Sequence, residues 1–218
     1  MTTFIHISDT HQYLPTHLPQ ADILIHSGDF SFLPKNAFLD VMLNELVKLN
    51  NYFSSLLTAG TFKKIILVPG NHDYIFEKHE YIARQVLSSA TVLINESTVY
   101  EDIKLYGSPI TPEFCRWAFN VKRGSDIKQY WDLIPNDTDI LITHGPPAGI
   151  LDSIQWVGAP LGCEELLEAV KRVKPRYHLF GHIHDGNGTL RVDKTTFINS
   201  SIMNEKYKPL QVHHFRSF

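Results

Sequence analysis

Five short apolar runs in this sequence each end in side chains able to hold a metal ion. Thr3–Ser8 runs into Asp9 and His11, and Asp22–His26 into Asp29. Lys64–Val68 runs into Asn71, His72 and Asp73, Asp139–Thr143 into His144, and Tyr177–Phe180 into His182 and His184. Carboxylate, amide oxygen and imidazole are hard-to-borderline donors, suited to Mn, Fe, Zn or Mg. With no thiolate among them, a structural cysteine-type zinc site is disfavoured. Leaving His72 aside, the set Asp9, His11, Asp29, Asn71, His144, His182 and His184 is too large for one tetrahedral ion. Two ions roughly 3.5–4 Å apart, bridged by one carboxylate, would use every member. No single motif decides the matter, because Gly28-Asp29 is also a turn signal and Asp-x-His a common cap. Their coincidence at five run ends does. His182 and His184 are expected on one face of an extended segment, as chelation needs.

The elements that must position these groups follow from spacing. The five runs are short, β-branched and bounded by Gly or Pro, which reads as buried strands. Between them, Ala37–Leu57 carries Phe38, Val41, Met42, Glu45, Leu46, Leu49, Phe53 and Leu56 on a repeating helical face. Glu77–Leu87, Asp126–Leu133 and Glu164–Val173 are shorter helices, the last introduced by Pro160 and Gly162. Residues 91–106 change to close-set alternating runs, expected as antiparallel strands. After His184, a Gly186-Asn187-Gly188 turn leads into TLRVD, TTFIN and LQVHHF, expected as hairpin strands. Loops at strand carboxyl ends gather at one sheet edge, where ligands bind. The fold class is α/β with α+β character: a two-layer β-sandwich of mixed sheets flanked by helices. One domain spanning 1–218 is expected.

The totals agree. The chain has 218 residues, 43% hydrophobic and 20% charged, and a net charge of −3, an ordinary globular balance that argues against a generally basic nucleic-acid surface. Two cysteines without CxxC spacing make a disulfide framework improbable and point to a reducing compartment. The N-terminus shows no signal peptide, and no apolar run reaches the ~18–20 residues of a membrane helix. A cytoplasmic location is expected.

The series Asp9-x-His11, Gly28-Asp29, Gly70-Asn71-His72-Asp73, His144-Gly145 and Gly181-His182-Ile183-His184 resembles the calcineurin-like metallophosphoesterase superfamily. Asp9-Thr-His, Gly28-Asp-Phe, Gly107-Ser-Pro, Trp117-Ala-Phe-Asn120, Arg123-Gly124, Thr143-His-Gly-Pro-Pro147 and Gly181-His-Ile-His-Asp-Gly186 resemble, within it, the metallophosphoesterase domain-containing branch. The resemblance implies that Asp9, His11 and His184 hold one metal and Asn71, His144 and His182 a second, with Asp29 bridging. It implies that His72 meets the phosphate and leaving oxygen, and that the fold is the metallophosphoesterase sandwich.

Two divalent ions, Mn favoured, would make a phosphoesterase. A water shared by two dications loses a proton near neutral pH, giving a nucleophile for in-line attack on phosphorus. Asn71 would offset charge and His72 would serve the departing alkoxide, oriented by Asp73 or a backbone carbonyl. The expected substrate is a small phosphodiester, with cyclic nucleotides leading; neither a membrane nor long nucleic acid is expected as partner. Protein phosphatases of the superfamily are expected to carry Asp and Arg after the bridging Asp, whereas Phe30-Ser-Phe-Leu-Pro34 follows here. A phosphomonoesterase is the alternative activity. A DNA-repair nuclease would bring capping domains, and a non-catalytic binding module would have lost ligands that are all present. Trp117 and Phe119 are core residues or a platform for a substrate base, and Arg123, with Arg116 and Lys122, is a solvated face or a phosphate contact. His6, His26 and His178 are expected in the packed core. His17, His79, His213 and His214 are expected at the surface or in packing.

Overall fold

The computed structural model describes residues 2–154, 161–204, 206–210 and 214–216. Thr3–Ile7 (β1) and Ile23–His26 (β2) lie parallel, with Phe4 opposite Ile23 and Ile7 opposite His26. Leu39–Thr58 (α1) then crosses back to Lys64–Leu67 (β3), which pairs parallel with β2. Helix α1 buries Met42, Leu46, Leu49 and Phe53, one stripe at alternating four- and three-residue steps. The expected face is too wide. Phe38 is 79% exposed because it precedes the first helical turn, and Val41 is 41% exposed because it stands about 100° around the helix from Met42.

The next expected helix is two helices, Tyr74–Lys78 (α2) and Glu80–Val86 (α3), broken at His79, whose φ of −140° is not helical. Thr91–Val92 (β4) corrects the expected antiparallel run over 91–106. It pairs parallel with β3, completing another crossover of the first sheet. The chain then passes to a second sheet through Asn95, which takes a left-handed φ of 57°. Only Glu96–Tyr100 (β5) and Ile103–Ser108 (β6) form the antiparallel hairpin.

Thr111–Pro112 (β7) and Asn120–Val121 (β8) pinch off a loop carrying Phe114 and Trp117. Ser125–Asp132 (α4), Ile140–Thr143 (β9), Glu164–Val173 (α5) and Tyr177–Phe180 (β10) follow. Gly188–Val192 (β11) and Thr195–Asn199 (β12) make the expected hairpin. His214–Arg216 (β13) pairs antiparallel with β1. Pro160 and His213 lie outside the described residues.

One sheet has the order β13-β1-β2-β3-β4 and the other β11-β12-β10-β9-β6-β5. In the first sheet β1 to β4 are parallel and β13 is an antiparallel edge; in the second the four inner strands are parallel and both edges, β11 and β5, are antiparallel. Side chains alternate between the two faces of every strand, and this alternation builds four layers. Phe4, Ile25 and Ile66 of the first sheet meet Leu105, Ile142 and Leu179 of the second in the middle. On the outside, Ile5, Leu24 and Leu67 pack under α1 to α3. Leu141, Phe180 and Phe197 pack against Trp131 of α4 and Leu166 of α5. At the carboxyl ends the sheets are stitched together. The Ser8 amide donates to the Ser200 carbonyl at 3.0 Å, and the Ile202 amide donates to that of Ser8 at 3.0 Å. Loops from both sheets therefore open onto one edge. No helix among the described residues is long and apolar enough to cross a membrane.

Candidate metal centre

Four of the residues at this edge have left-handed backbones: Asp9 (φ 55°), His11 (φ 43°), Asp29 (φ 56°) and His182 (φ 68°). Asp and His visit this region more readily than most side chains, and strain of this kind persists only where neighbours over-determine it. The restraints are visible. The Asp9 amide donates to the Gly28 carbonyl at 2.8 Å and the His11 amide to that of Asp29 at 3.0 Å. A Cβ on Gly70 would strike Asp29, and one on Gly181 would strike Asp9 and Ser8. Only hydrogen at those α-carbons lets the loops close around the carboxylates. Asp73 is the central restraint. Its buried carboxylate accepts from the amides of Asp29 at 2.9 Å, Gly70 at 2.7 Å and Ser31 at 3.0 Å. Asp73 therefore holds the loop backbones, while His72 is packed by the rings of Trp117, His11 and Phe32, at 4.9, 5.4 and 5.8 Å between centroids.

The site's side chains fall into two groups whose ligand atoms lie within 4.8 Å of one another: Asp9, His11 and His184, and Asp29, His144 and His182. Asn71 joins the second, its Oδ1 lying 2.8 Å from His144 Nε2. His182 and His184 thus serve different groups. They do not share the face of an extended segment, because His182 is left-handed and His184 opens a 3-10 turn.

Backbone carbonyls set the histidine tautomers. A carbonyl can only accept, so Nδ1 carries the proton in His11 (to Ser31, 3.1 Å), His184 (to Asn204, 3.1 Å) and His144 (to Ser27, 2.9 Å). Each neutral ring then turns an Nε2 lone pair into the site. The lone pairs of His11 and His184 face each other at 3.4 Å, a repulsive contact unless a cation or proton lies between them. Asp9 Oδ1 and Asn71 Nδ2 are buried without a hydrogen-bond partner among the described residues. Preset lone pairs, two buried carboxylates and an unpartnered oxygen fit divalent ions.

Charge has the same logic. Burial alone would raise the Asp9 carboxyl, but His184, whose Nε2 lies 3.6 Å from it, together with His144 and His11 holds it well below the usual range. Asp29 is also held low, against burial, chiefly by His144. Burial opposes charge on His144, yet Asp29, 3.3 Å away, and Asp9 keep it at about 9. In the metal-free protein a proton thus stands where a cation would. His182 falls to about 4 by burial and the charge of His144. His26 and His178, buried in the strands, fall to about 4 and about 3 by burial. His6 bonds Ser27 at 2.9 Å and is equally buried. All three are core histidines, as expected.

A cavity of about 190 Å³ opens over the two groups, lined by His11, Asp29, Asn71, His72, Trp117, His182 and His184. Ile154, Ile183, Asp185 and Tyr207 complete its wall, and of these none carried a sequence signal except Asp185 and Ile183, through their motif. Phe119 does not reach it; its ring packs against the two helix-side cores. Arg123 does not reach it either. Its guanidinium pairs with Glu164 and donates to the carbonyls of Gly162 and Leu161.

Helices outside two mixed sheets, with a mixed carboxylate–imidazole centre at their joined carboxyl ends, define the metallophosphoesterase fold. A family model described as calcineurin-like phosphoesterase matches residues 2–186, and the chain belongs to that family. Its class of activity is phosphoric ester hydrolysis, and divalent metals are its typical ligands. "Metallophosphoesterase domain-containing protein 1" of Homo sapiens and of Mus musculus are each 34% identical to this chain over 235 residues. Each match covers 96% of this chain and 68% of the relative. A solved crystal structure shares the fold at 19% identity with a TM-score of 0.63, covering 92% of this chain and 90% of the other.

Proposed function

We propose that the protein is a two-metal phosphodiesterase acting on small diesters, with cyclic nucleotides the leading candidates and Mn²⁺ the favoured ion. In this reading Asp9, His11 and His184 would hold one ion and Asn71, His144 and His182 the other, with Asp29 serving both. When bound, such ions acidify water and offset charge on a phosphoryl group. The protein supplies the rest. Asn71 Nδ2, buried and without a partner among the described residues, is placed to donate to a non-bridging oxygen. His72 lines the cavity beside Trp117 and gives a proton to the departing alkoxide, an effect of about 10²–10⁴-fold.

The observation that carries the choice of diester is the cavity's charge. No Lys or Arg lines it among the described residues, and Arg123 is engaged elsewhere. A monoester dianion lacks its second counter-charge there, whereas a diester carries a single negative charge on the phosphoryl group. Trp117 offers a base a ring face at the cavity wall. Two unpaired cysteines, Cys115 and Cys163, suit a reducing compartment, and we place the protein in the cytoplasm.

The test is kcat/KM over a panel of 2′,3′- and 3′,5′-cyclic nucleotides and aryl mono- and diesters after Mn²⁺ loading. Diesters are expected to lead. If a monoester beats every diester ten-fold, about 1.4 kcal/mol in transition-state binding, the diester reading fails.

A further inference from the structure

His72 and Trp117 do not line one cavity alone. A second, of about 330 Å³, shares both residues and is also lined by Phe32, Leu33, Pro34, Lys35, Tyr74 and Cys115. The His72 ring borders both cavities, with Trp117 at 4.9 Å and 44° and Phe32 at 5.8 Å and 39° between ring centroids and planes. Phe32 is 48% exposed, although it also touches Tyr207 at 4.8 Å between centroids. The loop bearing Trp117 and Cys115 is held in place. Asn120 Oδ1 accepts from the amides of Phe114 at 3.1 Å and Trp117 at 2.9 Å, and the Ala118 amide donates to the Asn71 carbonyl at 3.1 Å. An exposed Phe32 ring and a half-buried Trp117 ring thus meet at His72.

We infer that this second cavity is the leaving-group subsite, and that it takes a planar, uncharged aromatic body. The inference rests on the reading of His72 as the group that serves the departing oxygen. That oxygen must lie at His72, so what it carries has room to extend along the ring into the adjoining cavity that His72 also lines. No carboxylate lines that cavity, and its single cation, Lys35, donates to the Arg116 carbonyl at 3.0 Å. Its walls are ring faces and aliphatic carbons, which bind a π-face with little regard to hydrogen-bond pattern. The substrate class is therefore a diester whose leaving alcohol bears a nucleobase or comparable ring, the ring stacking at Phe32 and Trp117.

Cys115 gives a readout without catalysis, since it lines the second cavity and is exposed while Cys163 is buried. In the metal-free protein, 2-naphthylmethanol should slow alkylation of Cys115 by iodoacetamide, and Phe32→Ala should abolish the protection. In the Mn²⁺-loaded protein, two diesters differing only in a naphthylmethyl or a methyl leaving group should separate. Phe32→Ala should lower kcat/KM roughly ten-fold for the first and under about two-fold for the second. Equal losses on both, or no protection of Cys115, overturn the subsite. His72→Ala reports on the underlying reading. If it leaves both rates unchanged, His72 is not the leaving-group residue; if it lowers both while Phe32→Ala discriminates neither, only the subsite fails.

Discussion

Replacing Asp73 by Ala removes the acceptor of three buried amides, those of Asp29, Gly70 and Ser31. Each orphaned donor costs about 1–3 kcal/mol. Against that, the carboxylate is itself buried beside Asp29, and burial with the Asp29 charge pushes its pKa up, so its removal also relieves an unfavourable charge. A net loss of roughly 2–5 kcal/mol is expected. At about 2–4 °C per kcal/mol for a domain of this size, Tm should fall by roughly 5–20 °C. Asp73→Asn should fall between wild type and Ala, because its oxygen can still serve Asp29 and Gly70 while its NH₂ group opposes the Ser31 amide. The assay is urea denaturation of the metal-free protein followed by circular dichroism, with metal content after dialysis as a second reading. Ser31 also receives His11 Nδ1, so loss of the restraint should weaken metal retention roughly 10–100-fold, as for other outer-shell supports. The reasoning is refuted if Asp73→Ala matches wild-type stability within about 0.5 kcal/mol. Unchanged stability with a reduced kcat would instead return Asp73 to the role of orienting His72.

Chelation should abolish activity and added Mn²⁺ restore it, with Asp29→Ala the most damaging single ligand change; full turnover by thoroughly demetallated protein would contradict the metal reading. His72→Ala should keep near-stoichiometric metal, measured by elemental analysis, while kcat drops about 10²–10⁴-fold for poor leaving groups and less for activated aryl esters. His178, buried and bonded to Thr143 at 2.8 Å, has a folded pKa near 3. Its pKa is depressed, so below about 6.5 the unfolded chain binds a proton that the folded chain refuses. Stability of the metal-free protein should therefore decline as pH falls from about 6.5 toward 3, and His178→Gln should flatten that limb in denaturation curves taken at each pH.

The residues of the candidate metal groups were legible in the sequence because chelation restricts residue type. Asp, Asn and His recur at the ends of five apolar runs, and strand ends are where a parallel sheet exposes loops. The five runs themselves could be read as buried strands, since buried parallel strands need continuous apolar stretches. Pairing could not. Thr91–Val92 reads as part of a hairpin, yet it completes a crossover onto β3, because a two-residue strand takes its partner from non-local packing. By spacing alone His182 and His184 look like a chelating pair; the resemblance already assigned them to different metals, and the left-handed φ at His182 is what parts them into the two candidate groups. The carbonyls of Ser27, Ser31 and Asn204 that set the histidine tautomers have no side-chain signature at all. Trp117 and Phe119, two residues apart, read alike in the sequence. Only the loop held by Asn120 and Asn71 decides that one faces His72 and the other the core. Chemistry constrained by residue type is written locally; direction, partner and protonation are set by contacts between residues far apart in the chain.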